Sequence, residues 1–247
     1  MMKHLLLILL SVSFVANAQE QEPTKYFRFI PLGERPTWNE KIEGEFRVEQ
    51  EHPPGSMPPK EVSVATSGTE FETFFLRLTE FTDITKVKTS AKALKLTEGP
   101  TPGGAEFVGS KFPAKPYSLG VLYRDNADMT WLKPKLMLLP NDLASFPNGQ
   151  VRFVNTSAFE IAVQFGKERP FAVKPGKVIS KPLKVGETQA TVAVKLGGAY
   201  KPMMTNNIVM RANERIQVFF FKSQGKKPTA PVQMVIKPEV YQDPRRG

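Results

Sequence analysis

The sequence predicts an all-β chain, folded as two tandem β-sandwich domains behind an export signal. Three observations carry that expectation. Short runs of β-branched and aromatic residues alternate with polar ones, as half-buried strands require. The chain's 22 prolines and 17 glycines separate those runs, and no segment of helical length has period 3.6. One pattern of strands also occurs twice along the chain.

The first residues form a targeting segment. Lys3 and His4 give a short basic region, and residues 5–15 form an apolar run. A bilayer span needs about 20 apolar residues, so this run is too short. Ala16-Asn17-Ala18 supplies an A-x-A cleavage site, with Gln19 opening the mature chain. The competing reading is an uncleaved anchor, which the small residues at 16 and 18 oppose. No later stretch is apolar enough to cross a membrane as a helix. The expected destination is a bacterial periplasm or cell surface. The chain has no cysteine, which leaves stability to core burial and excludes disulfides.

Strands are expected over residues 25–30, 71–79, 117–124, 150–155, 159–165, 188–196 and 215–222. In the stretch TVAVKL, Val192 and Val194 share one face, and Ala193 and Lys195 the other. Phe219, Phe220 and Phe221 read as a strand buried on both faces. Residues 141–146 come nearest to a helix, but they are short and have a proline on each side.

The repeat pairs YFRFIPLGER at Tyr26 with QVRFVNTSAF at Gln150. Each carries Arg-Phe, then Ile or Val, then a turn. Further on, the run from Gly120 to Pro140 matches the run from Gln217 to Pro238, with Val121 opposite Val218. Each is a strand, a polar tip, a second apolar strand and a proline. The expected domains are residues 24–142 and 146–240, after a signal peptide over residues 1–18.

The run VRFVNTSAFEIAVQFG, followed by FAVKPGK, resembles small secreted bacterial β-sandwich domains of unknown function. Their opening strand carries V-R-x-x-N, and a short hairpin and a Pro-Gly turn follow. The resemblance covers residues 146–240. It implies an Ig-like sandwich fold and secretion, and it transfers no catalytic residue.

Charge divides the chain. Residues 19–146 hold 16 Lys and Arg against 18 Asp and Glu, whereas residues 147–247 hold 17 against 6. A field of one sign attracts polyanions. Candidate contacts are Lys174, Lys177, Lys181 and Lys184 around a Pro-Gly turn, and Lys222, Lys226 and Lys227 at a hairpin tip. The same lysines also suit solubility and the protection of strand edges.

Several chemistries are missing. After the signal only His52 remains, in a proline-rich loop. Blue copper, structural zinc, zinc-protease and Cys-His sites therefore cannot be built. A Ser-His-Asp triad would have to use His52, and G-x-S-x-G is absent. Ser223 to Lys226 matches S-x-x-K, yet it sits at an expected hairpin tip without S-D-N or K-T-G. Glu43, Glu45, Glu49 and Glu51 are expected on one face of one strand, as a solvated row. Asp125 and Asp128 read as a hairpin tip, because their spacing departs from a calcium loop. Met203, Met204 and Met210 read as core fillers rather than copper ligands. Asn155-Thr156-Ser157 is formally an N-x-S acceptor, but reads as a turn held by the Asn155 side chain.

The functional expectation is a non-enzymatic exported module of the envelope, for binding or structure, with no cofactor and no metal. Its expected partner is an acidic polysaccharide, an anionic lipid surface or an envelope protein, and not nucleic acid. The alternative is a carbohydrate-binding module, using Trp38 and Trp131 as stacking platforms, or a glycoside-active protein using carboxylates; the two tryptophans equally suit lids over a sandwich end.

Overall fold

The computed structural model describes residues 23–36, 40–43, 46–49, 52–66, 70–89, 91–101, 103–225 and 228–245. The expected signal peptide lies outside the described residues, as do Trp38, Lys226 and Lys227. Among the described residues there is no helix, and the chain is all-β.

The strands of the first half are β1 (Thr24–Leu32), β2 (Glu40–Glu43), β3 (Phe46–Glu49), β4 (Glu61–Ala65) and β5 (Phe71–Phe75). They continue as β6 (Thr85–Lys88), β7 (Ala93–Glu98), β8 (Glu106–Lys111), β9 (Tyr117–Tyr123) and β10 (Lys135–Pro140). The second half holds β11 (Gln150–Asn155), β12 (Ile161–Phe165), β13 (Phe171–Val173) and β14 (Val178–Pro182). It closes with β15 (Gly186–Leu196), β16 (Ala199–Met210), β17 (Glu214–Lys222) and β18 (Val232–Val240).

These strands form four open four-stranded sheets and one hairpin, β2-β3. The first half contributes sheets β10-β9-β1-β6 and β5-β4-β7-β8. The second contributes β14-β11-β17-β18 and β13-β12-β15-β16. The wiring is the same in both. β1 runs parallel to β9 and antiparallel to β6, and β11 runs parallel to β17 and antiparallel to β14. β4 lies between β5 and β7, and β12 between β13 and β15.

Three apolar clusters lie between four layers. Phe27 and Phe29 of β1 face Val62, Phe74 and Leu94 of the β4-containing sheet. Phe153 of β11 and Phe220 of β17 face Ile161, Val192 and Ile208 of the β12-containing sheet. The third cluster joins the halves. Ile30, Leu32, Leu119 and Val121 of the first half meet Val154, Phe219 and Phe221 of the second. Strands β1 and β17 are therefore covered on both faces, which is why residues 27–32 and 215–221 are buried without alternation. The three consecutive phenylalanines divide between two cores as a strand buried on both faces must.

The pairing corrects the repeat by one residue. Ile30 pairs with Val121, and Val154 pairs with Phe219. Val121 thus holds the place of Phe219, not Val218. A one-residue slip moves a side chain to the other face. Val121 and Phe219 face the middle cluster, whereas Val218 faces the outer core of its own half.

Other expectations also shift. The acidic run over residues 40–51 is not one strand. It turns back into the β2-β3 hairpin, in which Glu43 pairs with Phe46 and Glu40 with Glu49. Glu43 and Glu49 therefore stand on different strands, and Glu45 and Glu51 lie outside the described residues. The strand expected over residues 71–79 stops at Phe75, and the chain then turns through Thr79, whose φ is 62°. Residues 141–146 form a turn, with the Phe146 amide donating to the Asp142 carbonyl at 2.9 Å. Val192 and Val194 are buried together as expected, and Met210 lies in the core with Met203 and Met204 against it.

Gly120 is set by packing. It sits opposite Phe29, and a Cβ there would lie 2.3 Å from the Phe29 ring. That ring is fully buried and meets Phe74 edge-on at 4.8 Å. It has nowhere to move. Gly120→Ala is expected to cost about 1–3 kcal/mol or more through overpacking. Urea unfolding of the variant checks this, and an unchanged midpoint would contradict the packing.

Candidate functional site

The polar groups that the fold brings together lie between the two halves. Arg28 is on β1, Arg152 on β11 and Arg215 on β17. All three side chains point into the layer between the two parallel-paired sheets, beside the middle apolar cluster. Arg152 and Arg215 are 4 % and 1 % exposed, so their charges are almost fully removed from water. One carboxylate serves them. Glu239 of β18 takes an ion pair from Arg28 and another from Arg215 Nε at 2.8 Å. Gln217 Nε2 donates to the same carboxylate at 3.1 Å.

Neutral acceptors and rings do the rest. Arg215 Nη1 donates to the Phe146 carbonyl at 2.7 Å. With its amide oxygen turned toward the cations, buried Asn141 accepts from Arg28 and Arg215, each at 3.1 Å. It also accepts from the Tyr117 hydroxyl at 3.2 Å. Arg152 lies 3.9 Å over the Phe146 ring, and Arg28 lies 4.0 Å over Phe81. These are cation–π geometries in a desolvated setting.

Three guanidinium groups against one ion-paired carboxylate, with Asp142 acting on Arg152 and Arg215 without an ion pair, leave the layer cationic. Burial, and then the neighbouring Arg215, push the pKa of Arg152 down to about 9. Burial, and then Arg28, push that of Arg215 down to about 10. A guanidinium still keeps its proton at neutral pH. The penalty is therefore carried as stored desolvation and repulsion, offset by Glu239. Arg152 has no carboxylate within ion-pairing distance among the described residues.

A second contact joins the halves at the other end of β1 and β11. Asn126, at the β9-β10 tip, donates to the Thr156 carbonyl at 3.0 Å. Lys222 Nζ donates to the Asn126 carbonyl at 2.7 Å. Asp125 and Asp128 cap this tip by accepting from the amides of Ala127 and Thr130 at 3.0 and 2.8 Å. Asn155 is fully buried beneath it. Its Oδ1 accepts from the Ser157 amide at 3.0 Å, as the turn reading requires, and from the Ser157 hydroxyl at 2.7 Å. Its Nδ2 donates to the carbonyls of Phe159 and Val173 at 2.7 and 2.8 Å. No atom of Asn155 is left open to a glycan.

The sequence-derived candidates fall in different places. Lys174, Lys177, Lys181 and Lys184 are exposed, the first two in the turn before β14, Lys181 on β14 and Lys184 just after it. β14 is the outer strand of its sheet. The turn is Lys174-Pro175-Gly176-Lys177, closed by the Lys177 amide donating to the Lys174 carbonyl at 3.1 Å, with φ of Gly176 at 68°. Lys181 Nζ lies 5.2 Å over the Phe171 ring. Lys177 and Lys184 are seven residues apart, about 23 Å along an extended strand. The lysines form a line, not a cluster.

Two candidates need correction. Lys222 is half-buried and bonded across the halves, so it is a structural clamp and not a free tip cation. Trp131 is 2 % exposed, stacked on Phe107 at 6.5 Å in the core of the first half. A sugar needs an open ring face, and Trp131 has none. Its large apolar area closes the end of that core instead. Ser223 is buried in the strand-end turn, and His52 is exposed in its loop.

Among the described residues no three of His, Cys, Asp and Glu are placed to hold a metal ion, and no helix is long and apolar enough to cross a membrane. The arginine layer was missed by pattern reading. Its signal was the Arg-Phe repeated at Arg28 and Arg152, in strands with apolar residues at every neighbouring position.

The layer gives a paired test. Glu239→Gln removes the ion-paired carboxylate from two buried cations and is expected to cost about 3–5 kcal/mol. Arg152→Met removes an unpaired buried charge and is expected to be neutral or stabilising by about 1–4 kcal/mol. Denaturant unfolding of both variants decides the matter, and a larger loss for Arg152→Met would contradict the reading.

No family model matches the chain, and no curated protein matches it. Two solved structures are similar over most of its length. One is a "putative cell adhesion protein" of Bacteroides eggerthii, 7% identical, covering 90% of this chain and 97% of its own, with a TM-score of 0.23. The other is a "putative cell adhesion protein" of Bacteroides fragilis, 8% identical, covering 89% of this chain and 99% of its own, also with a TM-score of 0.23.

Proposed function

We propose that this chain is a non-enzymatic, exported envelope module of two tandem Ig-like sandwich domains, which holds an anionic partner. The single observation that carries the reading is the line of exposed lysines on the edge strand β14 and its two flanks. Lys174, Lys177 and Lys184 make no ion pair among the described residues, so their charge is available to a partner. The duplicated strand order supports the tandem division, and the buried layer between the halves supports a rigid support for that edge.

The chemistry-bearing groups elsewhere are spent on structure. Arg28, Arg152, Arg215, Glu239 and Asn141 hold the two halves, and Asp125 and Asp128 hold a turn. That supports a binding or structural role over catalysis. The stacking role of Trp131 in the carbohydrate alternative is lost with its burial.

Each lysine near an anionic lipid surface contributes about 1 kcal/mol, and the attraction fades with salt. The triple variant K174E/K177E/K181E is therefore expected to weaken binding to phosphatidylglycerol vesicles and to acidic polysaccharide by about a hundredfold at low salt. Sedimentation with vesicles and polysaccharide measures this. Equal binding by the parent and the triple variant would contradict the reading.

A further inference from the structure

A groove opens where the first half, the connecting turn and the C-terminal segment meet. Tyr26 of β1 and Tyr241 beyond β18 contribute half-buried rings, and the buried Tyr117 of β9 backs the wall. Two cavities of about 320 and 620 Å³ share Tyr26, Asp243, Pro244 and Arg245 as lining. Ligand sites for small molecules fall in this range of volume. The smaller cavity also touches Leu143, which is 43 % exposed, and Lys115. The larger touches Lys86.

Its charges are unequal in their availability. Asp243 is engaged by Arg245 through two hydrogen bonds of 2.9 and 2.7 Å. Asp142 is used by Ser145, accepting from its amide at 3.0 Å and its hydroxyl at 2.9 Å. Lys86 and Lys115 are exposed and make no ion pair among the described residues, although, against burial and beside the Ser145 bonds, Lys115 helps hold the Asp142 carboxyl below its usual range. Behind the wall lies the arginine layer, whose three cations have one ion-paired carboxylate, Glu239, and Asp142 of the groove as a more distant one. Tyr117 and Tyr241 separate it from the groove. Tyr117 bonds Asn141 of the layer, and the Tyr241 ring lies 4.9 Å from the Arg215 guanidinium. Low-dielectric walls focus such a field into the opening.

We propose that this groove binds an acidic sugar. The apolar C–H face of a pyranose would lie on the half-buried rings of Tyr26 and Tyr241 and on Leu143, and its carboxylate would meet Lys86 or Lys115. A bare phosphate would leave the aromatic lining unused, and a lipid surface is flat where this site is concave. The inference rests on the reading of the chain as a binding module, but not on the β14 lysines.

The test is calorimetric titration of the mature chain with tetragalacturonate, and with maltotetraose as a neutral tetrasaccharide. Tetragalacturonate is expected to bind at least about tenfold more tightly, since a charge-assisted contact is lost in the neutral sugar. K86E/K115E and the groove-filling L143W are each expected to weaken tetragalacturonate by about tenfold or more. All three positions are exposed, so the fold should persist, and circular dichroism checks that. K174E/K177E/K181E should leave this binding within about twofold, because those lysines lie on β14 and the turn before it, and none of them lines the groove. Loss with the β14 variant but not with the groove variants would overturn the groove and keep the edge. No binding by the parent, or equal binding of maltotetraose, would also overturn it.

Discussion

Two sheets can bury three guanidinium groups between them only if something offsets the charge. In this chain that is Glu239, carried by the edge strand β18 and shared by Arg28 of one half and Arg215 of the other. The two arginines come from different halves, so the carboxylate is satisfied only when both halves are in place. The remaining cation, Arg152, makes no ion pair among the described residues and is held by the Phe146 ring, with Asp142 as a more distant counter-charge. Buried ion pairs of this kind add little net stability, but breaking one is costly. They fix which surfaces meet, and how.

The rest of the architecture follows from that meeting. A sheet in an ordinary two-layer sandwich has one face to water. Here β1, β9, β11 and β17 face apolar groups on both sides, which accounts for Ile30, Val121, Val154 and Phe219 on what would otherwise be an outer face. Polar contacts bracket that apolar patch. The arginine layer lies at one end, and the Asn126–Thr156 bond with the Lys222 clamp at the other. Directional bonds set the register, and the apolar patch between them supplies the area. Edge strands such as β14 stay at the margins of their sheets, and Lys174, Lys177, Lys181 and Lys184 line β14 and its two flanks.

Much of this was legible in the sequence, and the exceptions have physical causes. Period-2 alternation found β11 with its full bounds, and the Phe219–Phe221 run disclosed a doubly covered strand. Asn155 was read as a turn residue, and its Oδ1 bond to the Ser157 amide is that turn. The repeat was visible but slipped by one position, because Val121 and Val218 match in identity while facing opposite sides. Arg28 and Arg152 were hidden for a different reason. In a strand, F-R-F reads as a polar residue pointing to water, and only a second sheet on that side makes it buried. Trp131 read as a rim residue because its neighbours in sequence are a polar tip, yet one residue of difference separates buried Trp131 from exposed Leu132. Lys222 misled in the same way, since its partner Asn126 is distant in sequence.

The central claim is that the shared carboxylate and the apolar patch couple the two halves into one cooperative unit. Both tryptophans lie in the first half, whereas the strands of both halves contribute to far-ultraviolet dichroism. Urea unfolding followed by the two signals therefore compares one half with the whole. The account requires the two curves to coincide, with one midpoint and one slope. Two separated transitions, with fluorescence complete while half the dichroism remains, would contradict it.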